Sequence, residues 1–237
     1  MTDVPTYLPA SPDLWLDASQ EPVPPADGSG DERPTNLAPR SDVEVEQATG
    51  SNQPTWDESE LAWQFDGTQF WSVSDSYNVG AHGLTWVVVA KCTDSTLGFG
   101  RHFYRGTTGS TSPRIDLNFN PNGSDTRCYV EDESGTSVNT QISVSDLSGA
   151  KFVNAITFDF PKGSVEHRYL SANDDVRESQ NVGTLSAFTT SDLFVGQQPD
   201  YNGFIGPKYE IIELPVALSL SDFDMLIDNL AAKHGIL

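Results

Sequence analysis

The sequence predicts an all-β fold, an antiparallel β-sandwich closed by one short C-terminal amphipathic helix. Three observations predict it. Short runs of alternating apolar and polar residues recur between turn signals. Residues 203–237 write an apolar strand that leads directly into a helix with both ends specified. The composition, 19 glycines, 15 prolines and 37% hydrophobic residues in 237, suits many turns joining short strands around an ample core.

The helix is the best-specified element. Ser219 is placed as its N-cap, with Asp222 positioned to reach back to the cap's backbone N–H, and Leu218 and Phe223 are spaced as a hydrophobic staple. Phe223, Leu226, Ile227 and Leu230 then recur on one helical face, which predicts one buried stripe. Lys233 and His234 suit the negative end of the helix dipole, and Gly235 followed by Ile236 suits a left-handed cap.

Upstream, Leu14 to Ala18 reads as a short strand, and Glu21 to Pro54, rich in Pro, Gly, Ser and Asp, reads as a long surface excursion. Residues 61–65 and 69–73 flank Asp66-Gly67 and read as a hairpin. Leu84 to Cys92 is apolar on both faces, as a strand covered on both sides must be. From Arg114 to Asn120 the alternation is clean: Ile115, Leu117 and Phe119 face a core, while Arg114, Asp116 and Asn118 face a wet side. In Thr126 to Glu131, Cys128 and Val130 point inward and Arg127 and Tyr129 outward. Lys151 to Phe160 sets Phe152, Ile156, Phe158 and Phe160 on one side, and Ser164 to Leu170 follows as its hairpin partner. Asp192 to Gly196 and Gly203 to Leu214 supply the last strands. This organisation gives an N-terminal arm over residues 1–13 and one domain over 14–237, with an irregular loop at about 21–54.

Charge narrows the partners. With 34 acidic against 13 basic residues, the net charge of -21 repels nucleic acid and anionic membranes. The acidity serves solubility, salt adaptation or cation attraction. Two cysteines, Cys92 and Cys128, lie in apolar runs and read as buried free thiols. No run is long enough to span a bilayer, and the N-terminus has neither a basic start nor an apolar segment, so the expectation is synthesis in a cytoplasm without a secretory signal. Asn122-Gly-Ser124 then reads as a turn rather than a glycosylation acceptor.

In order along the chain, LWLDAS (14–19), QATGSNQPTW (47–56), AWQFDGTQFW (62–71), LTWVVVAK (84–91), and residues 193–214 followed by the helix resemble the laminin-G-like, concanavalin A-like jelly-roll family. The chain departs from the family's Trp-x-Asp-x-Ser-Gly stretch, where it has the acidic, Pro-rich segment 21–46. The resemblance implies a module that binds carbohydrate or protein, of the type found in secreted enzymes, surface proteins and phage virions, and it leaves function to be argued from the site.

Catalytic patterns are weak. A β-glucan hydrolase needs paired carboxylates facing one cleft, whereas Glu210 and Glu213 are three apart, on opposite faces of a strand. Asp57, Glu58 and Glu60 read as a solvated acidic turn. His82, His102, His167 and His234 have no zinc spacing, and no phosphate-cradling glycine loop or nucleophile elbow occurs. No cofactor is expected. Ca²⁺ would find oxygen ligands in Asp174, Asp175, Asp200 and Asn202. For sugar, an aromatic face beside planar polar groups is required. The candidates are Tyr201, Asp200 and Asn202 in one loop, with Tyr104, Tyr129, Arg114 and Asn118, beside Asp116 and Arg127. The expected function is a non-enzymatic virion protein of a bacteriophage, a capsid decoration or tail-associated adhesin with a lectin-like surface. Its partners would be other virion proteins, cell-surface glycan and further copies of itself. A cellular carbohydrate-binding module is the second reading, and a β-glucan hydrolase the third.

Overall fold

The computed structural model describes residues 6–20, 34–39, 43–47, 49–74, 83–94, 100–106, 113–120, 124–145, 149–185, 193–196 and 203–237. The strands in these segments are β1 (Leu14–Asp17), β2 (Glu44–Glu46), β3 (Thr55–Asp57), β4 (Ala62–Asp66), β5 (Trp71–Ser74), β6 (Leu84–Lys91), β7 (Gly100–Gly106) and β8 (Arg114–Asn120). There follow β9 (Asp125–Glu131), β10 (Ser137–Ser143), β11 (Lys151–Asp159), β12 (Ser164–Ser171), β13 (Asp175–Asn181), β14 (Leu193–Val195), β15 (Ile205–Leu214) and the helix α1 (Leu220–Lys233).

The strands form two stacked antiparallel sheets. The back sheet runs β13-β12-β11-β6-β15-β4-β3, with β1 also beside β15, and the front sheet runs β10-β9-β8-β7-β14-β5-β2. Between them lies one core, in which Trp86 stacks on Phe103 at 5.0 Å and Phe119 on Phe152 at 4.9 Å. A second apolar layer lies on the far side of the back sheet, where α1 packs on Val87, Val89, Val153, Ala155, Ile212 and Leu214. Strand β6 explains its own apolar run: Trp86 and Val88 face the inter-sheet core, and Val87 and Val89 face the helix.

Phe223, Leu226, Ile227 and Leu230 are all fully buried on the back sheet. A helix of this length is marginal alone, so burial of these side chains, at about 1.5–3 kcal/mol each, is what holds it. The Ser219 side chain accepts from the Asp222 backbone N–H at 3.2 Å, as its cap position requires. Asp222 does not reach the cap's backbone; its carboxylate takes the Ser219 hydroxyl proton at 2.7 Å instead. At the other end Gly235 sits at φ +65, with Ile236 N–H on Ala231 O and Gly235 N–H on Ala232 O, the paired bonds of a left-handed cap. Ser219→Ala should cost about 1 kcal/mol of stability in urea denaturation, while Ser219→Asp should not.

Two sequence readings are corrected. Residues 61–73 are not a hairpin: β4 pairs with β15 and β3 in the back sheet, and β5 with β14 and β2 in the front sheet. The Asp66-Gly67 turn, with Gly67 at φ +91, carries the chain across the sandwich, so Trp63 and Trp71 meet edge to face at 5.1 Å in the core instead of pairing along a ladder. The excursion 21–54 is not all loop either. Its second half forms β2, and Asn36 bonds the Trp15 N–H and the Asp13 carbonyl, stitching the segment to β1. The arm also docks from Tyr7 onward, since Leu8 is buried in the helix-side layer. Cys92 and Cys128 are buried and free.

Candidate recognition face

The back sheet is covered on both sides, by core and by helix. The front sheet has its inner side in the core and its outer side lined by polar and aromatic groups. Register sets this up. Because Ile115, Leu117 and Phe119 on β8 and Cys128 and Val130 on β9 point inward, Arg114, Asp116, Asn118 and Asn120, with Asp125, Arg127, Tyr129 and Glu131, must point outward. Antiparallel pairing then aligns them across strands: Phe194, Tyr104, Asp116, Tyr129 and Asn139 form one row, and Arg101, Asn118, Arg127 and Gln141 the next.

A bulge in β7 shapes the row. His102 is the extra residue between Arg101 and Phe103, so the histidine joins Phe103 in the core while Arg101 stays outside. His102 ring nitrogens have no hydrogen-bond partner, and burial drives the imidazole pKa well below its ordinary value. The bulge also hides β7 from a reading of alternation, which is why Arg101 is absent from the candidates that the sequence offers.

The outer side is a lattice of paired charges. Arg101 Nε donates to Asp116 Oδ2 at 2.9 Å, and its guanidinium lies 5.1 Å from the Tyr104 ring centre. Arg127 grips Asp125 through two nitrogens, at 2.7 and 3.2 Å, and Asn120 donates to the same carboxylate. Arg114 covers the Tyr129 ring at 4.3 Å, and the Tyr129 hydroxyl donates to Glu131 at 2.8 Å. Burial is graded across the face. Tyr104 is 1% exposed and Asp116 4%, whereas Tyr129 and Arg127 are half-buried and Asn139 and Gln141 are exposed. The side expected to be wet is therefore dry at its β7–β8 centre, and Tyr104 packs against Phe194 and Arg101 instead of offering a free ring.

Two acceptors in that centre stand out. Asp116 Oδ1 and Asn118 Oδ1 are buried and have no hydrogen-bond partner. A buried acceptor without a donor costs about 1–3 kcal/mol. Burial raises the Asp116 pKa, and the charge and hydrogen bond of Arg101 oppose that rise.

Of the sequence-derived candidates, the structure brings Tyr104, Tyr129, Arg114 and Asn118 onto this one face. Asp200, Tyr201 and Asn202 lie outside the described residues. Asp174 accepts from the Ser145 backbone and hydroxyl, and Asp175 is held by Arg168. Among the described residues no group of three or more His, Cys, Asp or Glu is arranged to hold a metal ion. Glu210 and Glu213 are on opposite faces of β15. Glu210 lies under the helix, bonded to Lys233 and His234, while Glu213 pairs with Arg105 at 2.6 Å within the sandwich. Two such carboxylates cannot flank one glycosidic bond.

No protein-family model matches the chain, and no curated protein matches it in sequence. Solved structures do. The receptor-binding domain of botulinum neurotoxin D superposes with a TM-score of 0.62 at 10% identity, covering 93% of this chain and 53% of that one. The enzymatically active domain of tailspike protein 2 from bacteriophage CBA120 gives 0.56 at 14% identity, over 75% of this chain and 29% of that one. The CBM40 of the Ruminococcus gnavus IT-sialidase, bound to α2,3 sialyllactose, gives 0.52 at 10% identity, over 70% and 95%. The chain thus spans about half of the toxin chain and under a third of the tailspike chain. At these identities the likeness is one of fold, and the fold is a jelly-roll β-sandwich with a C-terminal helix.

Proposed function

We propose that this chain is a non-enzymatic recognition module that binds glycan on the outer side of its front sheet, around Asp116 and Asn118. The observation that carries the reading is the pair of buried acceptors, Asp116 Oδ1 and Asn118 Oδ1, that lack a donor in a face of arginines, amides and tyrosines. Sugar hydroxyls are donors, and the half-exposed Tyr129 and Arg127 and the exposed Asn139 and Gln141 border the centre from β9 and β10. The arginines already hold carboxylates, and the chain carries -21 overall, so neutral sugars suit the face better than sialylated ones. Sialyllactose binding by the CBM40 and receptor binding by the botulinum neurotoxin D domain support a recognition role in kind.

In this reading the module would belong to a phage virion, as a capsid decoration or tail-associated adhesin. Its strong acidity and the long Pro-rich segment of residues 21–46 support display on a larger assembly. A cellular carbohydrate-binding module is the second reading, favoured by the near-complete coverage of the CBM40.

A glycan array tests the first claim. Binding to neutral glycans should fall about tenfold in Asn118→Ala and in Asp116→Ala, the equivalent of one lost hydrogen bond to a buried group. An array with no signal for the wild type would overturn glycan recognition. Mass spectrometry of purified particles tests the second claim, and a chain never found in virions would overturn it.

A further inference from the structure

A buried line of polar side chains crosses the sandwich beneath the recognition face. The Thr140 hydroxyl lies 2.9 Å from His167 Nδ1, His167 Nε2 lies 2.9 Å from Asn154 Oδ1, Asn154 Nδ2 lies 2.7 Å from Thr126 Oγ1, and Thr126 Oγ1 lies 2.8 Å from the backbone carbonyl of Asn118. All four side chains are fully buried between the sheets. They come from four strands, β10, β12, β11 and β9, and the line ends on β8 at the residue that carries one of the two open acceptors.

One proton fixes every direction in the line. Thr126 has a single hydroxyl proton, and the Asn118 carbonyl can only accept, so that proton goes to Asn118. The Thr126 oxygen must then receive from Asn154, which orients the amide with its nitrogen towards Thr126 and its oxygen towards His167. His167 Nε2 must therefore carry the imidazole proton, leaving Nδ1 to accept from Thr140. A neutral ring is what this requires, and burial does hold the His167 pKa down, at about 3. Each contact in the line then has one donor and one acceptor, and turning Asn154 round would take the Thr126 proton away from the Asn118 carbonyl.

We propose that Thr140, His167, Asn154 and Thr126 form a one-directional hydrogen-bond relay that positions the β8 backbone at Asn118, and with it the spacing of the Asp116 and Asn118 acceptors. These are positioning residues, since none of them reaches the outer face. An apolar filling of the same volume would serve the core as well, whereas only a directed chain ties β12 on the back sheet to one carbonyl on β8. This inference rests on the recognition face being the site.

Nitrogen-15 spectra of the histidine rings at neutral pH test the relay without any ligand. His167 is expected as the Nε2–H tautomer in the wild type, and an Nδ1–H tautomer would overturn the relay. Thr126→Val keeps the shape and removes the hydroxyl, and Thr126→Ser restores it. Thr126→Val should weaken neutral-glycan binding about tenfold and speed amide hydrogen exchange along β8, Thr126→Ser should recover both, and Val138→Ala, a core change outside the line, should lower stability with affinity unchanged. Equal losses of affinity in Thr126→Val and Val138→Ala would show a merely structural role and overturn the proposal. A wild type that binds no glycan would sink the face assignment, while the tautomer and the exchange rates would still decide the relay.

Discussion

Glu210→Ala is expected to lower the stability of the folded chain by about 3–5 kcal/mol, because the buried Trp15 indole and the Tyr7, Lys233 and His234 donors lose the buried carboxylate they share. The Glu210 carboxylate is buried at the junction of β15, β1, the N-terminal segment and the end of α1. Its Oε1 accepts from the Tyr7 hydroxyl and the Trp15 indole, both at 2.9 Å, and its Oε2 accepts from Lys233 at 2.7 Å and His234 at 2.8 Å. Lys233 also donates to Asp17 at 2.7 Å. One carboxylate therefore ties the helix terminus to two other segments of chain. Burial alone would raise the Glu210 pKa, but the His234 hydrogen bond and the Lys233 charge outweigh it and hold the pKa below 4.5. The sign of the pH effect follows. Above the ordinary carboxylate range the contribution is fully present, and it is lost as pH falls through the lowered folded-state value. Denaturant titrations at pH 7 and at pH 3 measure this: Glu210→Ala should be far less stable than wild type at pH 7, with the gap narrowing at pH 3. An unchanged midpoint at pH 7 would contradict the clasp.

Lys208→Met is expected to stabilise the fold by about 1–3 kcal/mol, the cost of burying a polar group with too few hydrogen-bond partners. Lys208 is fully buried between the sheets. Its amine has one hydrogen bond, to the His102 carbonyl at 3.3 Å, and lies over the Phe65 ring at 4.4 Å and the Phe204 ring at 5.4 Å. Burial drives its pKa well below 10.5, so over the window between the folded and unfolded values the unfolded chain binds a proton that the folded chain does not. Stability must then rise with pH up to about 10.5, by about 1.4 kcal/mol per pH unit for this one group. Methionine keeps the length and packs on both rings without the desolvated nitrogen. Urea unfolding at pH 7 and pH 9 should show a gain in Lys208→Met and a flatter pH slope. A loss of stability in the variant would mean that the amine is charged and held by the core, contrary to this reading.

What the sequence disclosed depended on how sharply each element's two faces differ. Strands β6, β8, β9, β11 and β12 have long apolar alternation or double-sided burial, and they stand where the pattern places them. Strand β13 is an edge strand of nearly all polar residues, 175–181, held beside β10 by the bond from Gln141 N–H to Glu178, so no apolar period announces it. Strand β10 hides because one of its three inward positions is Thr140, a member of the polar relay. The Asp66-Gly67 turn has the residues of a hairpin, and only the aromatic partners supplied by the opposite sheet decide that the chain crosses instead.

The site was half legible for the same reason. Outward positions on β8 and β9 follow from alternation, which put Arg114, Asn118 and Tyr129 on one face correctly. Their burial does not follow, since it depends on neighbouring rows brought in by β7 and β14. Alternation also gave no hint that Tyr104 would be enclosed by Phe194 and Arg101, or that a histidine on the opposite sheet would reach the β8 backbone through Asn154 and Thr126.

Chemical-shift mapping of isotope-labelled protein, titrated with a neutral glycan that gives a signal on the array, tests the recognition face most directly. The expected result is perturbation concentrated on Asp116, Asn118, Arg127, Tyr129, Asn139 and Gln141, and its disappearance in Asn118→Ala. Perturbation centred on α1 and the back sheet, with the front-sheet residues silent, would contradict it.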